Sequence, residues 1–546
     1  MEQKTLELID CHNKASKSLA LHLLDRSSKQ IKTFYALYYL FESFFQGHQF
    51  VELIGNTIVP APDDVINEKD KAHFTGIDLP SAFHEIPANL IDKDPVNVGF
   101  FPIVQEKNRF YLQKNYLLEK KLVEILADLY ETKPSLIFNQ EDIDKVLLDY
   151  KSFLTKEQQH GIRNVLESSL HLLTGGPGTG KSYTVYYLLK AYLHLCKMRQ
   201  YSPNILVAAP TGKAASALKA KLANLQLENK ISVMTIHKAL RIGRDKNLPS
   251  HHVYLYDLII VDESSMIDSH LFYLFFSALS KGTRLLLMGD RNQLPPVESG
   301  MIFGELTHYL PSTYLTICKR VENKDLLSFG ENLLSGHIEY FLDLIYENKD
   351  FDGVSYESLS QDLDLYELCK KLIKNDFSRS IILTPMKIGP YGSIELNKQL
   401  FSMFEKGEGV LTHIPILVTK TQYELGIYNG EVGYYNRNND ELLFYDDEGE
   451  KKIPLALLDE YEISFAMTVH KSQGSEYEEV ILFLPKGSEK FGNELLYTAV
   501  TRAKKKLTIY ADEQTFLSSI RKKIKTANSL GDKLREKLLI RNLKQD

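Results

Sequence analysis

The chain has 546 residues, 44% hydrophobic and 25% charged, with 71 acidic against 65 basic residues and a formal net charge of −6. That length and balance fit about three to four globular units of ~150 residues each, and exclude a fibrous repeat or an extended disordered chain. Cys11, Cys196, Cys318 and Cys369 form no CxxC pair, so neither a disulfide framework nor a structural zinc or iron–sulfur site is expected, and a reducing, cytoplasmic setting is. The opening MEQKTLELIDCH lacks a basic segment followed by an apolar one, so no signal peptide is read. The most apolar early stretch, Phe34 to Phe45, contains Glu42 and is too short to span a bilayer, so no membrane partner is expected. The negative net charge argues only weakly against nucleic acid, because a large protein can hold a basic channel inside an acidic whole.

Residues 1–120 read as an N-terminal domain with a helical opening and a mixed stretch, in which FFPIVQEKNRFYLQKN forms a hairpin turning at Glu106–Asn108. From Tyr116, YLLEKKLVEILADLY turns helical. The aromatic cluster Phe34, Tyr35, Tyr38, Tyr39, Phe41, Phe44 and Phe45 reads either as a helical core or as a docking face. From about 140, apolar strands alternate with helical segments: HLLTG (171–175), NILVAAP (204–210), DLIIVDE (257–263) and TRLLLMGD (283–290). Such alternation predicts a parallel sheet with helices on both faces and a ligand at the carboxyl ends of its strands. A second alternating region, about 330–512, carries RSIILTP (379–385), EEVILFLP (478–485) and KLTIYAD (506–512). Between its strands, about 405–462, a stretch rich in Tyr, Gly, Asn and Asp predicts a small antiparallel β insertion with turns at Asn429-Gly430 and Asn438–Asp440. The last 26 residues carry nine Lys/Arg against three Asp/Glu, with Leu530, Leu534 and Leu538 at helical spacing. They read as a solvated amphipathic helix or as a DNA or partner contact.

Gly175, Gly176, Pro177, Gly178, Thr179, Gly180, Lys181 and Ser182 fit GxxxxGK[ST], directly after a strand and opening a helix. Backbone N–H groups of such a loop turn inward around phosphate oxygens, and the helix N-terminus favours negative charge there. Lys181 is placed to reach the β and γ phosphates of ATP, and Ser182 to hold Mg²⁺. Asp262 and Glu263 end the strand DLIIV, where a buried strand delivers two carboxylates: Asp262 for the metal, Glu263 for the attacking water. Gln293, in GDRNQLPPVESG (289–300), carries a neutral amide suited to sensing a γ phosphate without the desolvation cost of a charge. Arg502, in YTAVTRAKKKL (497–507), suits stabilisation of charge on a transferred phosphoryl, with Arg320 in LTICKR as a second candidate.

Taken in order, GGPGTGKS, APTGKAA (209–215), TIHKAL (235–240), VDESSMID (261–268), GDRNQLPPVESG, AMTVHKSQGSEY (466–477) and YTAVTRAKK (497–505) resemble the motifs of superfamily one helicases in the wording of the RecD family. LTKEQQ (154–159) resembles the upstream Q motif, with Gln158 at the adenine-reading place; TPMKIGPYGSIELN (384–397) and PILVTKTQYELGIYNGEVG (415–433) are also similar to RecD segments. The resemblance spans about 100–512. It implies an α/β chain with two RecA-like P-loop cores, 121–328 and 329–512, an SH3-like β insertion in the second, a mainly helical N-terminal domain at 1–120 and a basic helical tail at 513–546. ATP would sit between the cores, touched by Gln158, Lys181, Ser182, Asp262, Glu263, Gln293 and Arg320 from the first and Arg502 from the second. Single-stranded DNA would cross both, near Thr211, Lys213 and His237 in the first core; Thr468, His470 and Gln473 would lie near the DNA or the ATP interface in the second. The resemblance further implies 5′-to-3′ unwinding of double-stranded DNA within a RecBCD-type exodeoxyribonuclease V heterotrimer, with RecB-like and RecC-like subunits, in double-strand break repair and recombination. A stand-alone RecD-like helicase is the alternative. The chain has no tryptophan, so stacking on bases must use Tyr, Phe or His.

Overall fold

The computed structural model describes residues 11–24, 31–67, 69–93, 101–223, 231–241, 255–296, 300–318, 324–346, 353–359, 364–373, 376–407, 413–422, 424–446, 449–524 and 527–543. At the N-terminus, the helices Lys14–Leu24 and Ile31–Phe45 pack beside a sheet of β1 (Phe50–Ile54), β2 (Thr57–Val59), β3 (Ile91–Asp92), β4 (Ile103–Glu106) and β5 (Arg109–Leu112), ordered β2-β1-β5-β4-β3. Its pairs are antiparallel except β3–β4. The hairpin β4–β5 turns through Lys107, at φ 58°. Phe34, Tyr35, Tyr38, Tyr39 and Phe41 are buried in this unit's own core, whereas Phe45, at the helix end, is 46% exposed. The helix Gln113–Glu131 then runs through residue 120, so the N-terminal unit passes into the next one inside a helix rather than at a linker.

The first large sheet contains β6 (Leu170–Gly175), β7 (Ile205–Ala209), β8 (Ile231–Thr235), β9 (Leu258–Val261), β10 (Arg284–Gly289) and β11 (Ser312–Leu315), ordered β11-β6-β10-β9-β7-β8 and parallel throughout. β10 is buried along its whole length, as its uninterrupted apolar run requires when helices cover both faces. One face packs on the helices Gln140–Tyr150, Lys156–Glu167 and Lys181–Met198, the other on Gln113–Glu131, Ser269–Ser277 and Ile302–Tyr309. Among the described residues, Arg284 is the largest fully buried side chain, and it donates to the carbonyls of Ser168, Leu136 and Leu166 at 3.2, 3.0 and 2.9 Å. Carbonyl dipoles thus solvate a charge that burial would otherwise make costly.

The second core's strands are β12 (Val354–Ser358) and β13 (Ser380–Thr384), then the insertion strands β14 (His413–Val418), β15 (Val432–Asn436), β16 (Glu441–Asp446), β17 (Gly449–Pro454) and β18 (Tyr461–Ile463), then β19 (Ala466–Thr468), β20 (Tyr477–Leu484) and β21 (Ala503–Ala511). The core sheet is parallel, ordered β12-β21-β20-β13-β19. The insertion is a separate antiparallel sheet, β17-β16-β15-β14-β18. After β21 and the helix Glu513–Arg521, the chain returns to the first core as the helix Leu530–Asn542, whose Leu530 and Leu534 are buried there. Its basic face pairs with the helix Gln113–Glu131: Arg541 with Asp128 and Glu131 at 2.7 and 2.9 Å, and Lys537 with Glu124. Among the described residues, no helix is long and apolar enough to cross a membrane.

Candidate active site

β6 ends at Gly175, and the loop Gly176–Gly180 leads into the helix that starts at Lys181. Gly180 has φ 86°, and a Cβ there would lie 2.6 Å from Gln158 Nε2, so both the backbone and the contact require glycine. Thr179 Oγ1 donates to Gly176 O at 2.8 Å. Lys181 Nζ donates to Gly175 O at 2.6 Å and Gly176 O at 3.1 Å, holding the ammonium in the concavity of the loop. Gln158 is fully buried beside this loop. Its Oε1 accepts from Thr155 N at 3.0 Å in a capping box, and its Nε2 donates to Thr179 O at 3.4 Å. The side chain expected to read adenine is thus also a brace for the phosphate loop.

Asp262 and Glu263 follow β9. Asp262 is buried and its Oδ1 accepts from Glu263 N at 2.9 Å. Burial pushes its carboxyl up to about 6, with the Glu263 charge adding to the rise and the Lys181 ammonium opposing it. Glu263 holds φ 50°, a left-handed backbone that is strained for a residue with a Cβ. Asp290, one residue past β10, is also buried, and accepts from Tyr497 Oη at 2.9 Å and Asn292 N at 3.0 Å. Burial raises its pKa, again opposed by Lys181. Gln293 is buried, and its Oε1 has no hydrogen-bond partner among the described residues, an arrangement costing on the order of 1–3 kcal/mol unless a ligand or water satisfies it.

The second core closes over this face. The helix Gly492–Val500 carries Tyr497 and Thr498, and a Cβ on Gly176 would lie 2.9 Å from Tyr497 Oη. Arg502 is 3% exposed and donates to Thr498 O, Ser475 O and Thr501 Oγ1, each at 3.1 Å. All three partners are neutral, so the guanidinium charge is not cancelled by them. Leu294 belongs to the first core in sequence, yet its side chain sits in the second core's hydrophobic cluster with Phe329, Leu495 and Leu496. Its N–H donates to Thr498 Oγ1 at 2.8 Å, and its carbonyl accepts from Gln473 Nε2 at 3.1 Å. Lys213 crosses the same seam, donating to Ser475 Oγ at 2.7 Å. Burial lowers its pKa to about 8, opposed by Glu431 and furthered by Arg502.

Between the two sheets lies a cavity of about 690 Å³, lined on one side by Gly175, Gly176, Pro177 and Asp290, and on the other by Tyr497, Thr501 and Lys504. Arg502 itself is not in the lining; its neighbours Thr501 and Ala503 are. The volume is that of a small-molecule site. Ser182 is half-buried in the first turn behind the loop. Thr211 caps the helix Gly212–Ala223, its Oγ1 accepting from Ala214 N at 3.2 Å, and His237 is exposed on the short helix Ile236–Ala239. Thr468 and His470 line a different cleft. Thr468 Oγ1 accepts from Lys471 N at 3.4 Å; burial lowers the His470 pKa, and its ring meets Phe491 edge-on at 6.4 Å. Arg320 lies outside the described residues. Sequence reasoning passed over Asp290, Tyr497 and Leu294. Asp290 could have been found, because it ends an apolar strand just as Asp262 does; nothing local marks Tyr497 or Leu294.

Residues 158–299 match the family described as AAA domain, and residues 464–510 the UvrD-like helicase C-terminal domain. The chain is 27% identical over 542 residues to the RecBCD enzyme subunit RecD of Haemophilus influenzae, covering 81% of this chain and 83% of that protein. It is 31% identical over 424 residues to the RecBCD enzyme subunit RecD of Mycolicibacterium smegmatis, covering 70% and 75%. To the ATP-dependent RecD2 DNA helicase of Deinococcus radiodurans it is 29% identical over 411 residues, covering 73% of this chain and 54% of that one. A Bacteroides Pif1 helicase solved with ADP-AlF3 and single-stranded DNA is 18% identical, with a TM-score of 0.42 over 72% of this chain and 98% of that one. The phosphate loop and strand-end acidic pair, faced across a cavity by a second parallel core, fit what the family matches and the relatives show: an ATP-dependent DNA helicase of the superfamily that holds UvrD and RecD. Within that superfamily the chain belongs to the RecD family.

Proposed function

We propose that this chain is the 5′-to-3′ helicase and translocase subunit of a RecBCD-type exodeoxyribonuclease V heterotrimer, working with RecB-like and RecC-like partners in double-strand break repair and recombination. The observation that carries the motor reading is the cavity shared by the phosphate loop and the second core, with Tyr497 on one wall and Gly176 on the other. Membership of the complex is supported by the likeness to RecBCD subunits, at 27% identity with that of Haemophilus influenzae and 31% with that of Mycolicibacterium smegmatis. The RecD2 likeness is what favours the stand-alone reading.

In the proposed mechanism, the backbone N–H groups of the loop at the helix N-terminus cradle the phosphates of ATP. Lys181 exchanges its two carbonyl partners for phosphate oxygens. Glu263 orients and polarises the attacking water, and the unpartnered Gln293 amide reads the γ phosphate. Arg502, neutralised by none of its present partners, stabilises charge on the transferring group from the second core. The Ser182 hydroxyl and the Asp262 carboxylate are hard oxygen donors of the kind Mg²⁺ takes, and the buried Asp262 carboxylate beside the Glu263 charge is an acidic setting that fits it. Bound there, Mg²⁺ supplies neutralisation of phosphate charge. Because Leu294 is embedded in the second core two to four residues from Asp290 and Asn292, closure of the cores around ATP moves the polar loop that faces the phosphates. Lys213 and Gln473 act at this seam, while Thr211, His237, Thr468 and His470 serve as releasable contacts to the DNA strand.

Two measurements test the proposal. Affinity purification from the native cell, followed by mass measurement of the intact assembly, should return a heterotrimer; a lone chain would leave the stand-alone helicase. Unwinding of duplexes with a 5′ tail and not a 3′ tail checks the polarity.

A further inference from the structure

A second cleft, of about 420 Å³, opens where three parts of the chain meet: the end of the helix Ile31–Phe45, the loop after Leu294 with the ends of β13 and β19, and the segment that follows the helix Glu513–Arg521. Its lining contains Lys387, Lys490, Lys522 and Lys523 against one carboxylate, Asp64. Lys522 pairs with Asp64 at 2.7 Å; Lys387, Lys490 and Lys523 have no ion pair among the described residues. In a chain of net charge −6 this is a local concentration of positive charge, and a concave low-dielectric setting focuses its field. Two phenylalanines share the lining with the lysines. Phe45 is 46% exposed, and Phe491 lies beneath Lys490 Nζ at 5.0 Å from the ring centre. Thr468 and His470 belong to the same lining.

The wall formed by the N-terminal unit is fixed in place. Gln49 N donates to Ala527 O at 2.9 Å, and His48 Nδ1 accepts from Ala527 N at 3.1 Å, so the unit and the segment after the second core are stitched by both backbone and side chain. A groove that pairs lysines without ion pairs among the described residues with the exposed Phe45 ring suits a single nucleic acid strand, whose phosphates meet the cations and whose bases stack on the ring. With no tryptophan in the chain, that stacking falls to Phe, Tyr or His, and Phe45 is the exposed ring in this lining.

We infer that the single DNA strand crossing the second core at Thr468 and His470 continues into this cleft, so that the N-terminal unit and the segment after the second core form a third wall of the DNA track. Phe45 is its base-stacking face, and Lys387, Lys490 and Lys523 its phosphate contacts. The N-terminal unit is then part of the motor's grip on DNA. The inference rests on the DNA path proposed above.

The test uses the full-length chain and a fluorescein-labelled oligothymidylate, with binding followed by anisotropy across a salt series. The double variant Lys490→Ala/Lys523→Ala should weaken binding roughly tenfold and flatten the slope of log affinity against log salt by about 1.4, the value for two lost single-strand phosphate contacts. Phe45→Ala should weaken binding roughly fivefold or more with the slope unchanged, since stacking releases no counterions. Lys523→Glu should weaken it further than Lys523→Ala. The substituted side chains are exposed or rim positions, and thermal melting of each variant checks that the fold is intact. Unchanged affinity and slope in folded variants, with the wild type binding, would overturn the third wall alone. A wild-type chain that fails to bind the oligonucleotide would instead overturn the DNA path itself.

Discussion

The two cores meet the nucleotide cavity with different kinds of chemistry. The first presents a contiguous piece of chain, Gly175–Ser182, whose function follows from local backbone geometry and a helix N-terminus. The second presents the side chains Tyr497 and Thr498 from one helix and Arg502 from the turn after it, and their meaning depends on what lies opposite. The first kind of site is robust because its parts are bonded neighbours. The second exists only while the seam is closed, which is what a motor that couples chemistry to movement requires.

Substitutions on either side of the seam can break or sharpen that contrast. The largest effect is expected for Lys181→Gln: DNA-stimulated kcat should fall by about 10³-fold, as for loss of one preorganised charge-stabilising group. Its thermal midpoint should stay within a few degrees of the wild type, since its hydrogen bonds among the described residues go to the carbonyls of Gly175 and Gly176. Retained kcat would refute the local half of the comparison. Arg502→Lys keeps the charge and loses the fork, so kcat should drop by about 10²-fold while nucleotide affinity, measured by fluorescence titration, changes little. If both constants move together, Arg502 is a structural clamp on Thr498 and Ser475. Leu294→Ala empties a socket in the second core and should cost about 2–4 kcal/mol in chemical denaturation. ATP hydrolysis without DNA should survive in this variant while unwinding falls by roughly tenfold; parallel loss of both would show that Leu294 does not couple them. Tyr497→Phe leaves buried Asp290 with one donor fewer, a change of about 1 kcal/mol, read as a severalfold fall in kcat/KM.

A last test lies away from the seam, where the C-terminal helix docks. Glu305 accepts from Gly531 N at 2.8 Å, and burial raises its carboxyl from 4.5 to about 7, with Glu119 and Asp532 adding to the rise. An acid whose folded pKa is raised stabilises the fold in its protonated form. That contribution is complete below pH 4.5 and is lost as the pH climbs through 7. Glu305→Gln should therefore match the wild type near pH 5 and exceed it by up to about 2 kcal/mol at pH 8. An equal difference at both pH values would assign the effect to packing.

Sequence patterning anticipated β6, β7, β9, β10, β13, β20 and β21, each an apolar run bounded by turn residues, because strands buried on both faces must read that way. ISVMT, STYL and VSYES, which form β8, β11 and β12, were not read as strands: all three sit at sheet edges and are partly polar. The spacing of Leu530, Leu534 and Leu538 announced an amphipathic helix, but its seat against Asp128 and Glu131 is set by residues some four hundred positions away.

From its residues alone this chain determined the phosphate loop and the acidic pair after β9, along with the alternation that builds two parallel sheets. Each of these depends on neighbours in sequence, through φ, strand burial and helix termini. Only the tertiary structure decided that Leu294 belongs to the second core's interior, that Tyr497 meets Asp290, and that lysines from three distant segments share one cleft with Phe45. Those pairings are contacts of long sequence separation, fixed by the packing of whole units rather than by any local preference of the chain.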